Sequence, residues 1–306
     1  NDLVAVFLAF ASARIDGSSP DGAPDALSAQ INGAVIELEW IAPAPASGNT
    51  QVRLLRRLNL EPSGPEDPSA VVVFEGSADD SAADDLTDLL PNTSGTTRTY
   101  HYAAYGCDVD SCEATGSHTT LTPTVRNVLR AGGYVVHWRH ASADVCSDST
   151  HLGKADVTMV PDWWKSCDDN CGTATARQLN AAGLAESIAI GDDFATLGIT
   201  VGRVISSEFC RNVETAALMD FGPVIEESQE LTFFVYDEAQ RCSNTFVMLG
   251  EEPAPGTNTA LIGHSGNACV PLSSLAWSEA AIYKPDGMGG ATFIDRVTHD
   301  AWLTLP

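Results

Sequence analysis

The pattern of residues predicts a multidomain chain, an all-β sandwich followed by an α/β layered domain. Three observations carry that prediction. Residues 21–123 are built of short alternating apolar and polar runs separated by turn residues, the signature of antiparallel strands. From Leu129 onward the texture changes to buried apolar runs that alternate with stretches of helical period. The 306 residues, 44% of them hydrophobic, suffice for two ordinary cores.

In the first part, strands are expected at Ala26 to Ile31, Ala34 to Trp40, Gln51 to Arg57, Ala70 to Phe74, Thr97 to Ala103 and His118 to Thr122. Trp40 ends the second of these, the Pro43 and Pro45 step follows it, and Tyr100 and Tyr102 share one face of a later strand. In these features the segment 21–123 resembles a fibronectin type III domain. The resemblance implies that the tryptophan fills the core and a tyrosine braces a corner. Neither aromatic residue lies near a reactive group, so this module is expected to carry, space or bind.

A short Pro-containing stretch around Pro123 joins the two parts closely. Beyond it, Gly133 to Trp138 and Asn258 to Gly263 read as buried strands, and Thr175 to Leu197 reads as a helix. The second domain is therefore expected over 124–306, with helices on both faces of a sheet. No internal repeat is visible. The segment 1–20 fits neither domain: Val4, Val6, Leu8 and Phe10 alternate with small residues, as in a strand. It either packs on the edge of its own molecule or is donated to a neighbour, giving self-assembly through Leu3 to Phe10.

Lys and Arg number 16 against 41 Asp and Glu, a formal charge of −25. Such a field repels polyanions, which argues against nucleic acid and anionic membranes as partners. Acid is placed in loops such as Asp79-Asp80, Asp84-Asp85 and Asp168-Asp169. No run reaches the roughly 18 apolar residues that a membrane helix needs, so no membrane insertion is expected. Eight cysteines and a chain that begins at Asn1 without Met suggest an exported protein, extracellular or periplasmic. Cys107 and Cys112 span what reads as a hairpin tip and are expected to bridge. The other six allow fifteen pairings, and Cys167 with Cys171 could instead be half of a zinc site. Asn92-Thr93-Ser94 is a glycosylation sequon where the sequence pattern predicts a turn.

The chemistry concentrates at Arg139-His140-Ala141, which closes the first buried strand, and in the segments 206–216 and 263–267. A histidine at a strand tip can attack phosphorus, while arginines and a second histidine neutralise charge on the equatorial oxygens. The order of these segments, with Arg177 to Glu186 opening a helix and Glu214-Thr215-Ala216 following Arg211, resembles the histidine phosphatase (phosphoglycerate mutase-like) superfamily over about 130–305. The resemblance implies His140 as a nucleophile that is phosphorylated and then hydrolysed. It further implies Arg139 and Arg211 as phosphate ligands and His264 as the group completing the pocket. Ser207 and Asn267 flank these positions as substrate contacts. No metal or cofactor is implied.

Two departures from the pattern stand out. Ala141 replaces the motif glycine, and Phe233 stands where the resemblance places a glutamate proton donor. Glu208 is the carboxylate nearest in sequence to the phosphate arginine and is the candidate general acid, with Glu230 and Asp237 behind it. An activated phosphate, such as phosphohistidine or an acyl phosphate, needs less help from an acid than an ordinary alkyl ester. The expected activity is that of a secreted, metal-independent phosphatase acting on a phosphorylated small molecule or phosphoprotein. The alternative is a filament or adhesive subunit in which the phosphatase fold serves as a building block.

Overall fold

A computed structural model describes residues 22–44, 47–78, 81–93, 95–144, 162–167, 176–233, 235–236, 239–265, 269 and 272–305. The expected strand Leu3 to Phe10, Asp79-Asp80, Ser94, Cys146, Asp168-Asp169, Cys171, Asp237 and Asn267 lie outside the described residues. The chain divides into two compact units. One draws on residues up to Ala29, on Leu38–Ala83 and on Tyr100–Thr120; the other draws on Gln30–Glu37, Asp84–Thr99 and Leu121–Pro306.

Among the described residues the N-terminal half holds seven strands. They are β1 (Asp25–Asn32), β2 (Val35–Ile41), β3 (Gln51–Leu58), β4 (Val71–Ser77), β5 (Ser81–Asp85), β6 (Tyr100–Cys107) and β7 (Ser117–Leu121). They form a three-stranded sheet ordered β1-β2-β5 and a four-stranded sheet ordered β4-β3-β6-β7. Strict alternation makes β2 one-sided: Ile36, Leu38 and Trp40 are buried and the residues between them exposed. The Trp40 ring meets Phe74 of the other sheet at 5.9 Å. Strand β5 corrects the sequence expectation, which placed Asp84-Asp85 in a loop. Ser81 to Asp85 contains no β-branched or aromatic residue, so no propensity marked it. Cys107 and Cys112 are disulfide-bonded.

The second half is organised by one sheet of six strands. Its members are β8 (Val135–Arg139), β9 (Val201–Ser207), β10 (Ile225–Ser228), β11 (Asn258–Gly263), β12 (Ala280–Pro285) and β13 (Ala291–Val297), in the order β10-β9-β11-β8-β12-β13. Strands β10, β9, β11 and β8 run parallel, and β12 and β13 continue the sheet antiparallel. Among the described residues four helices accompany it: α1 (Val125–Ala131), α2 (Ala181–Leu197), α3 (Cys210–Met219) and α4 (Arg241–Leu249). Every residue of β11 is buried, as a central parallel strand requires. Side chains of β8 alternate between the two faces. Trp138 packs against Phe194 of α2 at 5.5 Å, while Val135 belongs to the core formed with Leu249 of α4. Helices therefore cover opposite faces.

Helix α2 begins at Ala181, six residues later than expected. Asn180 caps it by accepting the Gly183 N–H at 3.0 Å, and just before it Leu179 bridges Ala143. Gly183 is required at its position because a Cβ there would overlap the Ser142 carbonyl.

Candidate active site

Strands β9, β11 and β8 are neighbours, and their C-terminal ends deliver Ser207, His264 and His140 to one place. Ligand sites of parallel sheets lie at this end. Helix α3, leaving β9 after a two-residue turn, adds Arg211. The loop after β8 is tied down on every side. His140 N–H donates to Gly263 O at 3.0 Å, Ala141 N–H to the Thr215 hydroxyl at 3.1 Å, and Ser278 N–H to His140 O at 3.2 Å. Glu186 accepts from the Ser142 amide and hydroxyl and from the Ser278 hydroxyl, at 3.0, 2.7 and 2.7 Å. Ala141 itself is buried with Ala143 and Leu179, so its methyl group is part of a small core.

Within this frame His140 is 2% exposed. Its Nδ1 lies 2.8 Å from the Ala141 carbonyl, and Arg211 Nε–H points at its Nε2 from 3.1 Å. A carbonyl can only accept and an arginine N–H can only donate. The ring is therefore the tautomer with hydrogen on Nδ1 and a lone pair on Nε2. Burial, followed by the charge of Arg211, holds the His140 pKa well below the ordinary imidazole value; Arg139 and Arg177 add to the effect. The ring is neutral at physiological pH, the state in which a histidine nitrogen is nucleophilic.

His264 meets His140 edge-on at a ring separation of 5.5 Å. Its Nε2 is 3.0 Å from the Ser207 hydroxyl. Phe209 and Phe233 flank it at 5.2 and 5.7 Å, and its pKa too is pushed well down by burial and then by Arg211. Arg139 is the last residue of β8. Its guanidinium donates to Leu275 O at 3.0 Å and lies 5.5 Å from the Trp277 ring centre.

No family model matches this chain, and no curated protein matches it. Solved structures similar to it include the protein histidine phosphatase SixA complexed with tungstate, 17% identical, covering 55% of this chain and 97% of that one at a TM-score of 0.36. A protein assigned as phosphohistidine phosphatase SixA from Agrobacterium tumefaciens is 20% identical, covering 54% of this chain and 97% of its own at 0.36. A protein assigned as an alpha-ribazole-5'-P phosphatase from Escherichia coli is 13% identical, covering 53% and 95% at 0.35. What the site can do rests on its own side chains.

Glu208 does not stand free to donate a proton. It is 5% exposed, and its carboxylate accepts from Trp164 Nε1 at 3.0 Å, Lys165 Nζ at 2.9 Å and Tyr236 OH at 2.6 Å. Burial pushes its pKa up, but the three donors and the charge of Lys165 outweigh it and hold the group below the usual carboxylate range. These three bonds clamp Glu208 to Trp164, Lys165 and Tyr236, an arrangement that weighs against the acid reading. Cys167, bonded to Cys210 one residue before Arg211, ties the segment Trp163–Lys165 to α3 and removes the half-zinc reading with Cys171. Phe233 is 1% exposed and packs on His264, while Glu230 is exposed and accepts the Ser228 hydroxyl.

Arg177 contributes positive charge that the sequence reading does not assign to it. It precedes α2, yet its charge depresses the pKa of Arg139, His140 and His264 alike. The sequence reading uses Arg177 as the start of the segment Arg177 to Glu186 and gives it no role of its own. The aromatic group Trp163, Trp164, Phe209 and Tyr236 was equally silent, because its members come from separate segments.

Proposed function

We propose that this chain is an exported, metal-independent phosphatase that works through a phosphohistidine at His140. The observation that carries the reading is the fixed tautomer: Nδ1–H held by the Ala141 carbonyl and a lone pair at Nε2 facing Arg211. In the first step Nε2 attacks phosphorus, the N–P bond forms, and the bond from phosphorus to the leaving group breaks. In the second, water attacks phosphorus, the N–P bond breaks, and inorganic phosphate leaves with His140 neutral again. Arg211 exchanges its contact with Nε2 for the phosphoryl oxygens as they arrive, and Arg139 and Arg177 add positive charge nearby. His264, hydrogen-bonded to Ser207, bounds the other side of the transferred group.

With Glu208 clamped and Phe233 in the place of an acid, the site favours leaving groups that depart without a proton from the protein. Phosphohistidine and acyl phosphates are of that kind, which makes an activated phosphate on a small molecule or phosphoprotein the substrate class. The disulfides Cys107–Cys112, Cys167–Cys210 and Cys242–Cys269 support an oxidising compartment, periplasmic or extracellular. The three-plus-four strand arrangement supports a fibronectin type III-like module over 21–123, ahead of the phosphatase-like domain over 124–306. Strand donation through Leu3 to Phe10 concerns residues outside those described.

The test is phosphate release from para-nitrophenyl phosphate and from a phosphohistidine peptide, with EDTA present. Turnover of both well above that of an alkyl phosphate ester supports the substrate class, and turnover abolished by EDTA sinks the metal-independent reading.

A further inference from the structure

We infer that His137 is a positioning residue that aims His264, an inference that rests on the phosphatase reading. His137 lies in β8 three residues before His140, and it is completely buried. Its partner in the parallel register is Leu261 of β11, two residues before Gly263. From there its Nε2 reaches the backbone carbonyl of His264, at 3.4 Å, a long hydrogen bond in which only the ring can donate. The ring also fills the space beside Gly263. A Cβ at that position would come within 2.6 Å of His137 Cε1, so position 263 is a glycine because an imidazole lies against it.

The peptide that turns the chain out of β11 is thereby held at both carbonyls. Gly263 O accepts from His140 N–H at 3.0 Å and from Asn212 Nδ2 at 2.7 Å, and His264 O faces His137. The direction of the His264 side chain, and with it the Ser207 contact, follows from that grip. The arrangement carries a cost to the fold. Donation from Nε2 leaves Nδ1 with the lone pair, and among the described residues this buried nitrogen has no hydrogen-bond partner. An aliphatic side chain of similar volume would suit such a place in a strand better. A residue that breaks the burial rule next to a reactive centre points to a role in that centre.

The experiment compares wild type with His137→Leu, which keeps the volume and removes the donor, and with His137→Gln, whose amide reaches the same carbonyl. Thermal midpoint, kcat and KM on para-nitrophenyl phosphate, and the imidazole nitrogen resonances of His264 are measured for each. The expected result is a kcat lowered by roughly 10- to 100-fold in His137→Leu, with KM nearly unchanged and a midpoint equal to or above wild type. His137→Gln is expected to recover most of that loss. Wild-type kcat in His137→Leu overturns the inference, as does a loss that parallels a lower midpoint without rescue by glutamine, or failure of both variants to fold. If the wild type itself hydrolyses nothing, the phosphatase reading fails separately. The positioning claim is then decided by the His264 resonances, which must shift in His137→Leu and stay near wild type in His137→Gln.

Discussion

Arg211 donates its Nε–H to His140 Nε2 across 3.1 Å, so the positive group and the nucleophilic nitrogen face one another directly. The same contact places the guanidinium 4.2 Å from the centre of the Phe209 ring, in a site where both partners are almost wholly buried. The planar fork is held at one angle by this stack and can present two donors to a phosphoryl group.

A point charge does not replace that fork. Arg211→Lys is expected to lower kcat by roughly 100- to 1,000-fold, the loss typical of one removed transition-state donor. The midpoint of urea unfolding should fall only modestly, because lysine keeps the charge and part of the packing. Steady-state kinetics beside a denaturation curve checks both halves, and a variant within a few-fold of wild type would show that Arg211 does not bind the transferred group.

Glu208 gives the opposite expectation. Glu208→Gln leaves Lys165 without its anionic partner and weakens the bonds from Trp164 and Tyr236, so stability should drop by about 1–3 kcal/mol. Turnover of para-nitrophenyl phosphate should change by less than about tenfold, because no proton passes through a group held ionised. A large loss confined to substrates with poor leaving groups would restore Glu208 as the acid.

Three buried histidines, His137 within β8 and His140 and His264 just beyond the ends of β8 and β11, couple folding to pH. His137 is held at about 4, and His140 and His264 also lie well below 6.5, in each case first because they are buried. Below about pH 6.5 the unfolded chain takes up protons on all three while the folded protein does not, so stability falls as pH falls. Replacing His140 by Asn should remove roughly 1 kcal/mol per pH unit from that slope. Urea midpoints of both proteins at about pH 7 and about pH 5.5 measure it; identical slopes would mean that His140 takes up its proton over the same pH range in the folded and the unfolded chain.

The disulfide between Cys167 and Cys210 closes a loop with a sequence separation of 43, for which chain entropy alone predicts about 4 kcal/mol. Cys167→Ser with Cys210→Ser should therefore unfold at distinctly lower urea. It should also loosen the Trp163–Lys165 segment, which a shift in tryptophan emission under native conditions would report. An unchanged urea midpoint in the double variant would count against this role for the bridge.

Local pattern was enough for the elements whose residues speak for themselves. Strands β8 and β11 are runs of apolar residues, β2 alternates strictly, and Cys107 and Cys112 are too close in sequence to miss. Order along the chain was enough to select His140, Arg211 and His264, which the fold brings together from three segments. What stayed hidden depends on distance in the fold. Strand β5 forms although Ser-Ala-Ala-Asp-Asp has no strand preference, because pairing with β2 decides it. Glu208 is adjacent in sequence to Ser207, but its role is set by Trp164, Lys165 and Tyr236 from two remote segments. His137 reads as one more residue of an apolar strand until the carbonyl opposite its ring is known.

The most direct test of the central claim is a trapping experiment. The wild type is mixed with phosphorylated substrate in EDTA, quenched in base, and the site of any retained phosphate is mapped by mass spectrometry beside His140→Ala. The account predicts an acid-labile phosphate on His140 in the wild type, with neither label nor turnover in the variant. Turnover that survives in folded His140→Ala would contradict it.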